Sequence, residues 1–201
     1  CEGELASDKS TAAKLISKKY NLLLINSVLL YRYSSKLIIK HKPKNSITFL
    51  QKNFKIVSYK TIAEQNLHTE QISNHVAVLA KNKKIRHIIK NFQKKIIKNN
   101  KKICVEGRDI ASKILVKNPQ YDLAFYFKCN INIASHRRWI DIKKKVPLKQ
   151  VKTSLRKRTQ MDKKRKNSPL IKVKNAILIR TDKLSKKQVL SKMSKHIDRI
   201  N

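Results

Sequence analysis

The chain of 201 residues sets 49 Lys and Arg against 12 Asp and Glu, a formal net charge of +37 at pH 7. That length can bury one core, and no apolar run is long enough to cross a membrane as a helix. Three cysteines, Cys1, Cys104 and Cys129, are odd in number and lack C-x-x-C spacing, which argues against a disulfide framework or a zinc site and for small buried side chains in a reducing compartment. The charge alone would point to nucleic acid, since clustered Lys and Arg release counterions from a phosphate backbone. Here the lysines are scattered through every segment, and Tyr and Phe do not recur in a stacking pattern, so no specific nucleic-acid partner is expected.

The chain opens on Gly3-Glu4-Leu5-Ala6-Ser7-Asp8-Lys9-Ser10-Thr11, which matches G-x-x-x-x-G-K-[ST] at Gly3, Lys9 and Ser10 but not at Asp8. Such a loop surrounds phosphate with backbone N–H groups, reaches it with a Lys, and ligates Mg²⁺ with a hydroxyl. A carboxylate about 4 Å from a phosphate charge costs about 4 kcal/mol at an effective dielectric of about 20, most of which an outward-pointing Asp8 side chain would avoid. A chance turn before a helix is the competing explanation of these residues. A strand ordinarily precedes this loop, so most of that strand is expected to lie upstream of Cys1.

Ala12, Leu15 and Ile16 then follow helical spacing, and Leu22 to Ile25 reads as a short buried strand. Asn26-Ser27 at its carboxyl end opens a second helix, at the end of the strands where open α/β sheets bind ligands. Residues 41–66, with Pro43, show little periodicity and suggest a lightly packed insertion with a short strand near Phe54 to Tyr59. Helical spacing returns over Thr69 to Lys98, with Arg86 off the main apolar face.

Ile103 to Glu106 predicts a buried strand that ends in Glu106-Gly107-Arg108-Asp109. An acid at this place beside a phosphate loop helps to hold Mg²⁺, which nominates Glu106, while Asp109 alone could be a helix cap. Leu123 to Cys129, apolar but for Lys128, predicts a strand covered on both faces of a parallel sheet. Helices are expected over Ala134 to Lys145, carrying Arg137 and Arg138, and over Leu148 to Lys166. On the second, Val151, Leu155, Arg158, Asp162 and Arg165 share one face that turns from apolar to cationic. Two arginines flanking an acid can clamp phosphate, although such i,i+4 pairs also decorate ordinary exposed helices. A strand at Ala176 to Ile179 and a capping box of Ser185 with Gln188 close an α/β chain, with Val189, Met193, Ile197 and Ile200 expected to face the sheet.

Together these stretches resemble the bacterial cytidylate kinase family, a branch of the nucleoside monophosphate kinases. Glu2 to Thr11 corresponds to D-G-P-A-G-S-G-K-S-T, Asn26 to Arg32 to D-[ST]-G-x-x-Y-R, and Glu106 to Ser112 to E-G-R-D-I-[GA]-[ST]. Arg158, Asp162, Arg165, Pro169 and Leu170 match the R-D-x-x-D-x-x-R lid pattern with its following P-L, and Asn175 to Thr181 matches D-A-[IV]-x-[IL]-x-T. The resemblance implies an α/β P-loop NTPase fold with a central parallel sheet. Its core would span 1–34, 67–133 and 170–201, a monophosphate-binding insertion 35–66, and a helical lid 134–169.

It further implies a cytoplasmic, monomeric phosphotransferase that uses ATP and Mg²⁺ to convert CMP or dCMP to its diphosphate. ATP would lie on Gly3 to Thr11, with Lys9 on its outer phosphates, Mg²⁺ on Ser10, and Glu106 holding that metal from behind its direct ligands. CMP would be held by Ser27, Arg32, Arg86, Arg108 and Asp109. Arg158, Asp162 and Arg165 would close on the reacting phosphates, with Arg137 and Arg138 as lesser lid candidates. Departures from the family pattern are Ala6 and Asp8 for loop glycines, Asn26 for an acid, Val28 for a glycine, His68 for an arginine, Ala77 for a serine expected near cytosine, and Thr159 within the lid R-D pair. They motivate two alternatives, a catalytically impaired nucleotide-binding relative and, from the charge, a basic RNA-associated protein.

Overall fold

A computed structural model describes residues 1–117 and 120–200. In chain order its elements are β1 (Glu2–Gly3), α1 (Lys9–Lys19), β2 (Leu23–Asn26), α2 (Ser27–His41), α3 (Ser46–Ile56), α4 (Tyr59–Ala63), α5 (Glu70–Leu79) and α6 (Lys83–Lys98). There follow β3 (Ile103–Glu106), a π-turn at Ile110–Ile114, β4 (Phe125–Lys128), α7 (Ile131–Asp141), α8 (Leu148–Lys164), β5 (Ile177–Arg180) and α9 (Lys186–Ile197). The chain divides into two compact units, one of Cys1–Leu24 with Cys104–Asn201 and one of Ile25–Ile103. The segment 35–66 lies wholly in the second unit and 134–169 wholly in the first.

The first unit is built on parallel strands. β1 pairs with β4 in the register Glu2 to Tyr126 and Gly3 to Phe127, and β4 pairs with β5 from Phe125–Ile177 to Lys128–Arg180. The end of β3 joins the other edge of β1 through a parallel bridge between Glu2 and Gly107, with the Gly107 N–H donating to the Cys1 carbonyl at 3.0 Å. Period-two alternation sends Phe125 and Phe127 to one face, where Ala12 and Ile16 of α1 and Val189 and Met193 of α9 cover them. Tyr126 faces the other way, against Ala111, Leu170 and Ala176. Both faces are therefore buried, which explains why β4 reads as a continuous apolar run.

The second unit is helical among its described residues outside the strand ends. Its core joins Leu30 and Tyr33 of α2, Leu50 and Phe54 of α3, Ile62 of α4, and Ile85, Ile89 and Phe92 of α6. The strand expected near Phe54 to Tyr59 is instead the end of α3 and the start of α4, separated by Val57 and Ser58. Ile47, Leu50 and Phe54 carry helical spacing, and Asn45 and Ser58 supply caps, so β-prone Val57 and Tyr59 flank a helix boundary. Nor is the packing light, because Leu50 and Ile62 are fully buried and the Phe54 ring lies 4.9 Å from that of Phe92.

Three smaller expectations change. In the Leu22 to Ile25 stretch only Ile25 is fully buried, and Leu23 is exposed. The helix expected over Ala134 to Lys145 starts earlier and ends at Asp141, because Lys143 and Lys144 turn the chain with positive φ. Ile200 lies beyond the end of α9 and is 54% exposed.

Gly3 fixes the exit from β1. Its φ is +151°, and a Cβ there would stand 2.3 Å from the Phe127 carbonyl oxygen and 2.8 Å from the Phe127 nitrogen, both backbone atoms unable to swing away. Gly3→Ala is therefore expected to cost about 3 kcal/mol or more, measurable as a lower urea midpoint at unchanged slope. Beside it, the buried Glu2 carboxylate accepts the Ala111 N–H at 2.6 Å. Burial pushes the Glu2 carboxyl up from 4.5 to about 7, against the pull of that hydrogen bond. The folded chain thus holds this proton more tightly than the unfolded chain, so the stabilisation is complete below pH 4.5 and is lost as pH rises through about 7. Glu2→Gln should remove from the stability–pH profile a slope on the order of 3 kcal/mol over that interval, read by urea unfolding at several pH values.

Candidate active site

The site of the first unit starts where β1 gives way to α1. The Glu4 N–H donates to the Phe127 carbonyl at 3.0 Å, and the Ser7 hydroxyl donates to the Glu4 carbonyl at 2.8 Å, closing a tight loop. Ala6 and Asp8 within it have φ of 51° and 57°, the left-handed region in which glycine is at ease. Lys9, Ser10 and Thr11 form the first turn of α1, whose amides have no partner within the helix and lie at its positive end. Loop amides and helix end together make an anion-binding concavity.

Two side chains of that turn meet the end of β3. The Lys9 ammonium donates to Glu106 Oε1 at 2.5 Å, and the Ser10 hydroxyl donates to the same oxygen at 2.5 Å. Lys9 and Glu106 are both buried. Burial pulls Lys9 down from its ordinary value, with the Glu106 charge opposing. Burial likewise pushes Glu106 up, but the Lys9 charge and the hydrogen bonds from Lys9 and Ser10 outweigh it and hold the carboxyl below its usual range. A hydroxyl and a carboxylate at the loop are the hard oxygen donors that suit Mg²⁺, an ion usually held by one or two protein groups plus phosphate oxygens. The described residues hold no cluster of three His, Cys, Asp or Glu that would form an all-protein metal cage.

Past Gly107 the chain delivers Arg108 and Asp109. Arg108 donates through Nη1 to the Gly3 carbonyl, and its Nε lies 3.4 Å from Asp162 Oδ2 on α8. Asp162 also faces Arg165, at 3.5 Å, and Arg165 reaches to 4.0 Å from Asp109. Arg165 Nε donates to the Ser168 carbonyl, whereas Nη2 is buried with no hydrogen-bond partner. Arg158 stands exposed on the same helix face. Burial lowers the Arg108 guanidinium from its ordinary value, Asp162 opposes that, and Arg158 and Arg165 add to it. Asp109 makes no side-chain cap to the turn that follows, so capping does not explain it.

The first unit thus brings together Lys9, Ser10, Glu106, Arg108, Asp109, Asp162 and Arg165, with Arg158 adding positive charge nearby. The buried Nη2 makes no hydrogen bond and has only the Asp109 carboxylate at 4.0 Å, so an anion could supply the missing acceptor. Leu5 and Ala6 serve packing as well, against Cys129, Val151 and Leu155. The remaining nominated residues belong to the second unit. There Ser27 Oγ accepts from the buried Gln93 amide at 2.5 Å, Arg32 Nη1 donates to the Leu67 carbonyl at 2.7 Å, and Arg86 donates to the Ala80 carbonyl at 3.3 Å while lying over the Tyr31 ring. Asn26, standing for an acid, caps α2 by accepting from the Val28 N–H, and its own N–H donates to the Tyr59 hydroxyl at 2.7 Å. Ala77 is exposed on α5.

Sequence reasoning missed Gln93, Tyr59 and Lys163. Gln93 had a signal, since it continues the four-residue spacing of Ile85 and Ile89 and so had to be buried. Lys163 pairs with Glu4 of the loop at 2.6 Å, and nothing distinguishes it locally from the other lysines of α8. Arg137, a lesser candidate, binds the Asp8 carboxylate at 2.6 Å, while Arg138 is exposed.

A parallel sheet whose first strand runs through a glycine-initiated loop into a helix opening on Lys and Ser, with an acid at the neighbouring strand's end, is a P-loop nucleotide-binding fold. The family model described as Cytidylate kinase matches residues 1–199, and the chain belongs to that family. It is 27% identical to the cytidylate kinase of Alkaliphilus oremlandii, covering 96% of this chain and 93% of that one, and 28% identical to that of Clostridium tetani, covering 98% and 92%. It is 31% identical to a bifunctional pantoate ligase/cytidylate kinase of Prochlorococcus marinus over 96% of its own length and spans 41% of that longer protein. A crystal structure of an uncharacterized protein from Eubacterium ventriosum shares the fold, with a TM-score of 0.60, 19% identity, and coverage of 98% of this chain and 96% of that one.

Glu106→Ala would leave the Lys9 ammonium buried without its partner. The expected loss is about 3–5 kcal/mol of stability by chemical denaturation, well above the effect of truncating an exposed acid such as Glu70.

Proposed function

We propose that this chain transfers the γ-phosphoryl group of ATP to the 5′-phosphate of CMP or dCMP, giving ADP and the nucleoside diphosphate. Family membership supports the reaction. The observation that carries it is the array in which Lys9, Arg108 and Arg165 stand among Glu106, Asp109 and Asp162 around a helix amino terminus. Phosphoryl transfer in line needs no covalent intermediate, because its loose transition state spreads charge over equatorial oxygens that positioned cations stabilise.

In this proposal Gly3 to Thr11 cradle the ATP phosphates and Lys9 leaves Glu106 to meet the outer ones. Mg²⁺ would be held by Ser10 and by Glu106, supplying charge neutralisation between phosphate oxygens. Asp162 keeps Arg108 and Arg165 aimed, and Arg158 joins them on the transferring group. Arg108 and Asp109 are proposed for CMP, and the family resemblance alone nominates Ser27, Arg32 and Arg86 for the same substrate. The helices α7 and α8 would exclude water that would otherwise hydrolyse ATP. A cytoplasmic setting fits the three free thiols, and action as a monomer completes the proposal.

A coupled assay should show ADP formation when CMP or dCMP is added and little when AMP or UMP is added. Lys9→Ala is expected to lower kcat by about a hundredfold or more, the scale of losing one preorganised charge at the developing anion. No CMP-dependent ADP formation from the folded full-length protein would refute the assignment.

A further inference from the structure

Asp8 is the amino-terminal cap position of α1, where an Asp side chain ordinarily turns back onto the free amides of the first turn. Here it makes no such bond. Its Oδ2 instead accepts from Arg137 Nη1 at 2.6 Å. Arg137, on α7, is anchored on its far side, since Nη2 donates to the Thr181 carbonyl at 2.8 Å and to the Asp182 carbonyl at 3.4 Å, and Nη1 also reaches Thr181 Oγ1 and Cys129 Sγ. The guanidinium is therefore fixed to the ends of β4 and β5 and draws the loop carboxylate away from the amides at the start of α1. Glu4, the loop's other carboxylate, is met in the same way by Lys163.

Released from Arg137, Asp8 would lie within reach of those amides, which offer it the hydrogen bonds of a cap and the favourable end of the helix dipole. Those are the groups a phosphate would use. We propose that Arg137 is a positioning residue that keeps the anion site of the loop open by holding the Asp8 carboxylate outside it. An Asp at the loop position is then compatible with phosphate binding only while its arginine is in place. The inference rests on the reading of the loop as the ATP site.

The test is equilibrium titration of the full chain with ATP and Mg²⁺, together with the KM for ATP in the coupled assay. Arg137→Ala should weaken ATP binding by on the order of tenfold to a hundredfold, through both exposed charge near phosphate and self-capping by Asp8. The effect should fall on KM for ATP more than on kcat. Adding Asp8→Gly to Arg137→Ala should restore most of the lost affinity, because the competing carboxylate is gone. An Arg137→Lys variant, which keeps a cation on α7, should retain more affinity than Arg137→Ala and, with thermal melts of each variant, separates the effect from misfolding. If Arg137 instead acted by touching ATP itself, the double variant would stay as weak as Arg137→Ala, and the proposal would be overturned. Undiminished binding by folded Arg137→Ala would overturn it as well. Failure of the wild-type chain to bind ATP would overturn the reading of the loop, and the proposal with it, and is distinguishable from both.

Discussion

The buried contact between Lys9 and Glu106 constrains the first unit more than any other. One carboxylate oxygen accepts from both Lys9 and Ser10, so the start of α1 and the end of β3 are pinned at a single atom. An unpaired charge at that depth is several kcal/mol unfavourable, which leaves the loop between β1 and α1 little freedom to drift. The sheet sets where that atom can be. Gly107, next to Glu106, bonds back to Cys1, and two residues along β1 the Gly3 backbone passes so close to Phe127 that no side chain fits. Arg108 then returns to the Gly3 carbonyl while reaching Asp162, so the chemistry of α8 is referred to the same strand end.

A phosphate loop with one glycine is a physical puzzle that the geometry answers. Ala6 and Asp8, in positions where the family pattern carries glycine, adopt the left-handed conformation regardless. Each is unfavourable by roughly 1–2 kcal/mol, and neighbouring packing has to offset it. Ala6 does so by lying against the cluster of Cys129, Val151 and Leu155, and Asp8 by its ion pair with Arg137. Backbone shape that glycine would permit by freedom is here imposed by contacts. Gly3 cannot be replaced on those terms, because the obstacle there is backbone rather than conformational preference.

The order of strands and helices in the first unit was legible because its signals are local. An apolar run marked β4, a shared face marked Arg158 and Asp162 on α8 with Arg165 just past its end, and Ser185 with Gln188 announced α9, where the complete capping box is present. Residues 41–66 were misread because Val57 and Tyr59 favour strands, while the stronger evidence, Ile47, Leu50 and Phe54 at helical spacing with Asn45 and Ser58 as caps, is spread over two short helices. The ion partners of the loop were illegible for a different reason. Arg137 and Lys163 lie 129 and 159 residues from Asp8 and Glu4, and among so many cations no local feature selects the one that folding brings near. Acids were better guides, and Glu106, Asp109 and Asp162 were each nominated from their own neighbourhoods.

That asymmetry follows from the charge balance itself. With 49 cationic side chains and only 12 acids, a cation is an uninformative residue in this chain and a carboxylate an informative one. Glu4, Asp8, Glu106, Asp109, Asp162 and Asp182 all take part in ion pairs, and all stand in the loop, at or just beyond a strand's carboxyl end, or on α8. Surface lysines repel one another weakly through water and salt, and an exposed acid added among them contributes little. A buried guanidinium or ammonium is different, since without a carboxylate it either loses its charge or destabilises the fold. Acids are therefore needed most where cations are taken out of water, and in the first unit that is the cluster built around Lys9, Arg108 and Arg165. The excess of +37 describes the surface, whereas the few negative charges mark the chemistry.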